Sequence, residues 1–237
     1  PSPMYDGYLI SILHGALLSI QVALGALVVA IVLGLAGATA KLSSHKPLIW
    51  LGGIYSTIIR GIPDLVLMLL IFYGGQIGLN VLLESFGYTD YVEINPFAAG
   101  LITIGFIYGA YMTETFRGAI LAIPRGQAEA GLAYGMSKPR VFFTIVLPQM
   151  VRLALPGFTN NWLVLIKSTA LVSILGLPDM TYLAKQAGAA ARGQVPNAPL
   201  LFMAFAALIY LVFTTVSLIV LRQLEKRYTL GVKRSAV

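Results

Sequence analysis

Between Leu9 and Ala40 the chain runs for 32 residues without an Asp, Glu, Lys or Arg. A helix crosses the hydrocarbon core of a bilayer with about 20 apolar residues, so this stretch spans it with turns to spare. Four more segments qualify once an embedded charge is allowed: about 54–83 with Arg60 and Asp64, 96–116 with Glu114, 153–175 with Lys167, and the charge-free 199–221. A soluble protein can bury one such helix in its core, but hardly five in 237 residues. Composition agrees: 58% of the residues are hydrophobic and 11% charged, where soluble domains carry about 25% charged residues. The expected fold class is an all-α integral membrane protein, one transmembrane domain of five helices.

With no cysteine, the chain has no disulfide framework and no thiol nucleophile. Two histidines, His14 and His45, leave little for metal chemistry, and no metal site or bound cofactor is expected. The net charge of +7 raises the question of nucleic acid, but its placement answers it. Twelve basic residues fall in the segments after spans one, three and five, among them Lys41, Lys46, Arg117, Arg125, Lys138, Arg140 and Arg152, and the tail residues Lys233 and Arg234. Only Lys185 and Arg192 fall on the other side, with Asp6, Glu84, Asp90, Glu93 and Asp179. Basic residues mark the cytoplasmic face. The N-terminus is therefore expected outside and the C-terminus inside, with no nucleic-acid partner.

The longest inside segment, about 125–148, contains EAGLAYGMSKPRVFFTIVLP from Glu129 to Pro148. Gln127–Tyr134 reads as a short helix rich in small residues, stopped by Gly135 in the left-handed conformation that suits a helix C-terminus. Ser137 is placed to cap a second helix with Pro139 in its first turn. That helix carries Val141, Phe142, Ile145 and Val146 on its apolar face until Pro148 disrupts it. An amphipathic helix pair lying at the interface accounts for these features by itself.

The residue order adds more. Glu129-Ala130, Gly135 after four further residues, and Ile145-x-Leu147-Pro148 resemble the EAA loop of bacterial ABC importer permeases. Gly131 stands where that family usually has Ala. The resemblance extends to IIRGIPDLVLMLLIFYG (58–74), YGAYMTETFRGAI (108–120), NNWLVLIKSTALVSILGL (160–177) and YTLGVKR (228–234), which look like the polar amino-acid importer family. Asp64 in RGIPD resembles the Q-type permeases of histidine and lysine/arginine/ornithine importers.

The resemblance implies a type I ABC importer permease fold in the bacterial inner membrane. Its implied partners are a second permease of M type, a dimer of ABC ATPases that hold ATP and magnesium, and a periplasmic amino-acid-binding protein. It makes Glu129, Ala130, Gly131, Gly135, Ile145, Leu147 and Pro148 the ATPase-coupling residues. The chain itself has no Gly-Lys pair, hence no phosphate-binding loop of the P-loop type. ATP hydrolysis is thus expected in another polypeptide, which is what a docking loop serves.

Ionisable residues inside a membrane are costly and mark partners or pathways. Asp64 and Glu114 suit a cationic amino acid, with Thr113, Asn160 and Asn161 to orient it; Lys167 either faces that path or pairs with a carboxylate. The plain alternative is local ion pairing near the cytoplasmic ends of spans two and three: Glu114 with Arg117, Arg60 with Asp64. His14 and Gln21, seven residues apart, are read as helix contacts. No HExxH or GxSxG motif points to an intramembrane enzyme. An ion-coupled secondary transporter using Glu114, Asp64 and Lys167 is the remaining alternative, and it leaves the 125–148 loop unexplained.

Overall fold

The computed structural model describes residues 3–229, so Lys233 and Arg234 of the basic tail lie outside the described residues. The described chain is almost wholly helical: α1 (Pro3–Lys41), α2 (Lys46–Gly61), α3 (Asp64–Ser85), α4 (Pro96–Leu121), α5 (Arg125–Ala133), α6 (Lys138–Val141), a π-helical segment (Phe142–Val146), α7 (Leu147–Ser168), a 3-10 segment (Thr169–Leu175), α8 (Met180–Ala190) and α9 (Ala198–Thr229). Among the described residues five helical segments are long and apolar enough to cross a membrane: 6–41, 64–85, 96–121, 138–175 and 198–228. Leu17, Val28, Leu70, Leu200 and Leu211 are more than half exposed, as expected where hydrocarbon replaces water as the solvent.

Lipid-facing helices gain little from hiding apolar surface, so they associate through close packing of small residues. The α1–α4 pair shows this. A Cβ on Gly34 of α1 would stand 2.4 Å from the Met112 Cβ, and one on Gly105 of α4 would stand 2.5 Å from the Val29 Cβ. Around this contact lies the main core, including Val22, Ala26, Ile104, Ile107, Met112, Met150 and Leu165. A second core joins the start of α1 to α8 and α9 through Ile12, Met180, Ala184, Ala187 and Phe202.

The α2–α3 pair runs antiparallel to α4 as one broken path. In the second half of α2, Ser56 accepts from the Lys41 ammonium at 3.1 Å. Halfway along, Asp64 accepts from the Tyr108 hydroxyl at 2.9 Å, and Tyr108 is the thirteenth of the 26 residues of α4. Near its end, Gln76 Oε1 accepts from the Ile94 N–H at 2.7 Å and Asn80 Oδ1 from the Val92 N–H at 2.8 Å, strapping the 86–95 connection to α3. The break at Ile62-Pro63 therefore lies beside the middle of α4. Pro63 lacks an N–H and pushes Ile62 into extended backbone. Asp64 opens the apolar segment 64–85, and Arg60 lies just before it at the end of α2.

The fourth predicted span is also divided. α7 ends at Ser168, whose side chain lies near Tyr108 of α4. The 3-10 segment follows and closes at Gly176, φ +82°. The connection between the fourth and fifth spans holds α8, which packs on α1 and α9. Its cap is Asp179, whose fully buried carboxylate accepts from the N–H of Tyr182 at 3.0 Å and of Thr181 at 3.4 Å.

Candidate coupling segment and translocation face

The segment after α4 folds as a helix, a tight turn and a second helical run. α5 ends in the turn that Gly135 permits. The Met136 N–H donates to the Gly131 carbonyl at 3.1 Å and the Gly135 N–H to the Leu132 carbonyl at 3.0 Å. This paired closure needs a left-handed residue after the helix, and Gly135 supplies it at φ +85°. Ser137 then caps α6, accepting from the Arg140 N–H at 3.4 Å.

Gly131 is buried and faces the second run. A Cβ there would stand 2.7 Å from the Ile145 Cδ1 and 3.1 Å from the Val141 Cγ2. With no Cβ at Gly131, α5 lies directly on the π-helical segment. Glu129, Ala130 and Leu132 remain exposed, and Tyr134 is 91% exposed. Ile145 and Leu147 are half-buried, and Pro148 is exposed.

Pro148 does not end the helix, contrary to expectation. A helical proline forfeits a backbone bond and crowds the carbonyl four residues back. Here it falls in the first turn of α7, directly after the wider π-helical turns of Phe142–Val146, and the run continues. Gln149 spans this transition: its amide donates to the Ile145 carbonyl at 3.0 Å and to the side-chain oxygen of Gln127 on α5. The Gly131–Ile145 contact and the Gln127–Gln149 bond therefore tie α5 to the run that becomes α7.

The candidate path residues separate into three groups. Glu114 belongs to a charge cluster at the basic end: Lys41 of α1 donates to its Oε1, while Arg117 donates to its Oε2 through Nη2 at 2.9 Å and Nε at 3.2 Å. The expected Glu114–Arg117 pair is present, and Lys41 adds a tie from α1 that sequence spacing gave no sign of. Thr113 and Asn161 point into the helix bundle. Thr113 donates to the Gly109 carbonyl at 2.8 Å beside Gly37, and Asn161 donates to the Thr115 hydroxyl at 2.8 Å.

Asp64, Asn160 and Lys167 make up the third group. Asp64 is half-buried and bonds Tyr108; no ion pair joins it to Arg60 among the described residues. Tyr108 and Tyr111 stack with ring centroids 5.5 Å apart, and both Asp64 and Arg60 lie within electrostatic range of the Tyr111 hydroxyl. Asn160, Val164 and Lys167 follow at spacings of four and three, an exposed stripe on one face of α7. Lys167 is exposed and has no carboxylate partner among the described residues. Its neighbour Ser168 reaches Tyr108, so the ends of α2 and α7 and the start of α3 converge near this tyrosine. Tyr108, Tyr111 and Ser168 were not singled out by the sequence; their spacing is that of ordinary helix residues. His14 and Gln21 are exposed on α1.

Comparison with known proteins places this geometry. The histidine/lysine/arginine/ornithine transport system permease protein HisQ of Salmonella typhimurium is 51% identical over 234 residues, covering 98% of this chain and 99% of HisQ. The octopine transport system permease protein OccQ of Rhizobium radiobacter is 38% identical over 229 residues, covering 97% and 94%. A crystal structure of an amino acid ABC transporter with histidines matches at TM-score 0.74 and 29% identity, covering 94% of this chain and 96% of that one. The family described as binding-protein-dependent transport system inner membrane component matches residues 26–230. The chain belongs to that family: it is an inner membrane component of a binding-protein-dependent transport system.

Proposed function

We propose that this permease imports cationic amino acids, the class that includes histidine, lysine, arginine and ornithine. Its 51% identity with HisQ over nearly the full length of both chains is the observation that carries the reading. The basic end, with Lys46, Arg125, Lys138 and Arg140, faces the cytoplasm in this reading, and the end bearing Glu84, Asp90 and Glu93 faces outward. ATP and magnesium are held and used by a separate ATPase dimer. The second permease is a distinct chain of M type, and a periplasmic binding protein delivers cargo to the outer connections, 80–96 and 177–199.

Coupling runs through Glu129, Ala130 and the Gly135 turn, which offer the ATPase a short docking helix. Closure of the ATPase dimer on ATP draws α5 and its counterpart together. The Gly131–Ile145 contact supports transfer of that motion into α7, and the spans open outward to accept cargo. Hydrolysis returns them to an inward-open state. Asp64, Asn160 and Lys167 are the path residues favoured by exposure, whereas Glu114 serves to tie α1 to α4. A secondary transporter would need Glu114, Asp64 and Lys167 in one proton relay, and the clamping of Glu114 by Lys41 and Arg117 argues against it.

The test is purification of the chain in mild detergent from native membranes, with the stoichiometry of every co-purifying subunit measured. An ATPase dimer and one distinct permease is the expected result. An ATPase with two copies of this chain contradicts the M-type partner, and the chain alone under stabilising conditions contradicts the ATP-driven reading.

A further inference from the structure

An apolar trough runs along the side of α7 that faces away from Asn160, Val164 and Lys167. Val151, Leu155 and Phe158 each stand nine residues before a member of that stripe, about two and a half turns and hence on the opposite face of the helix. They line a groove with Ile31 and Leu35 of α1. At Leu35 and Leu147 the groove runs on into a wider trough of about 550 Å³, walled by Ala36 and Thr39 of α1, Leu48 of α2 and Phe142 and Phe143 of the π-helical segment. The Thr39 hydroxyl donates back to the Leu35 carbonyl at 2.7 Å, so it asks no hydrogen bond of an occupant.

Its length and its ends suit a phospholipid. α7 rises about 16 Å from Leu147 to Phe158, the depth of one leaflet in a hydrocarbon core of about 30 Å. The wide end lies beside unpaired cations. Lys46 is two residues before Leu48, and Arg140 is two before Phe142. Both are exposed, and neither joins a salt bridge among the described residues. Tryptophan favours the membrane–water interface, so Trp50, 70% exposed and one turn into α2 from Lys46, puts that lysine at headgroup depth. Basic residues at the mouth of a gap between spans hold anionic headgroups.

We propose that this trough seats one anionic phospholipid, with its phosphate against Lys46 and Arg140 and an acyl chain reaching along α1 towards Phe158. The proposal rests on the reading that the Asn160–Lys167 stripe faces the cargo path, which leaves the opposite face of α7 to lipid rather than to the second permease. Such a lipid also touches the coupling segment. Ile145 meets Gly131 of α5, while Phe142, Phe143 and Leu147 wall the trough. The seated lipid therefore backs the run on which α5 lies.

The experiment uses the native complex in phosphatidylcholine nanodiscs carrying a trace of phosphatidylglycerol with a diazirine on its acyl chain. After illumination, mapped label is expected on 31–48 and 142–158 well above that on the exposed Leu211 and Val216 of α9. Unlabelled phosphatidylglycerol should displace it about fivefold or more better than phosphatidylcholine, the weight of one basic residue at an anionic headgroup. Lys46→Gln combined with Arg140→Gln erases that preference, and Ala36→Trp, which fills the trough and keeps both charges, removes the label. Where Ala36→Trp fails to assemble, the exposed double substitution decides. Label spread evenly over α1, α7 and α9 means bulk lipid contact only and overturns the proposal, as does a preference that survives the double substitution. A photoactivatable benzoylphenylalanine replacing Leu48 that captures another subunit instead of lipid overturns it too. The path reading is checked separately: the chain has no cysteine, so Asn160→Cys should take a water-soluble maleimide in the same complex, and failure to react counts against that reading instead.

Discussion

Gly131 of α5 lies directly against Ile145 of the π-helical segment, close enough that a Cβ on Gly131 would stand 2.7 Å from the Ile145 Cδ1. This contact joins the exposed docking helix to the run that becomes α7. The nearest atom is the far end of a flexible side chain, so one methyl group can be absorbed. Gly131→Ala also gains about 1 kcal/mol of helix propensity, and ATP-driven uptake should stay within about twofold of wild type, the change a few tenths of a kcal/mol makes. Gly131→Leu has no such room and should part α5 from α7. Normal uptake in that variant would contradict the role given to this contact.

Gly135 constrains the backbone rather than the packing. Its φ of +85° leaves open space for a side chain but suits only a residue without a Cβ. Gly135→Val should cost about 1–3 kcal/mol locally and unwind the closure at the end of α5. Membrane insertion should be unaffected, while ATPase attachment or its stimulation by loaded binding protein falls. Equal stimulation of wild type and variant would remove the basis for calling this turn part of the coupling element.

Glu114→Gln leaves Lys41 and Arg117 facing each other without their anion. Both are partly shielded from water, with side-chain exposures of 18% and 35%. The expected cost is about 1–2 kcal/mol once solvent at Arg117 is allowed for. Thermal unfolding in detergent should move down by roughly 2–8 °C. Adding Lys41→Met should recover part of the loss. An unchanged unfolding temperature in Glu114→Gln would mean that the cluster does not hold α1 to α4.

Asp179 gives the fold a pH dependence of defined sign. Burial pushes its carboxyl up to about 6 against the pull of the Thr181 and Tyr182 N–H groups. A raised carboxyl binds its proton more tightly in the folded state, so its stabilising contribution is complete below the unfolded value of 3.8 and is lost as pH rises through about 6. The difference amounts to about 3 kcal/mol. Asp179→Asn keeps a capping oxygen and removes the titration. Relative to wild type, the variant should unfold at a higher temperature at pH 7.5 than it does at pH 4.5; a difference independent of pH would contradict the assignment.

The apolar spans were legible because hydropathy needs no knowledge of neighbours, and the α5 turn was legible because Gly135 and Ser137 are local signals. Other features depend on contacts that the sequence does not display. Lys41 reads as a marker of membrane orientation, yet its ammonium crosses to Glu114, 73 residues on. Hydropathy read 54–83 as one span, and it did not show that α2 starts as early as Lys46 and is divided from α3 at Pro63. The π-helical turns before Pro148 have no sequence signature. α8 did have one: Asp179 before a run with Ala184, Ala187 and Gly188 is a capped helix with a small-residue face.

In the proposed function ATP hydrolysed elsewhere drives amino acids through this chain. It is tested most directly by uptake of labelled arginine and histidine into proteoliposomes holding the chain, its second permease and the ATPase, with binding protein outside and ATP inside. Accumulation is expected to need both ATP and binding protein and to persist when ionophores collapse the ion gradients. Uptake that proceeds without ATP and stops when those gradients are removed would contradict it.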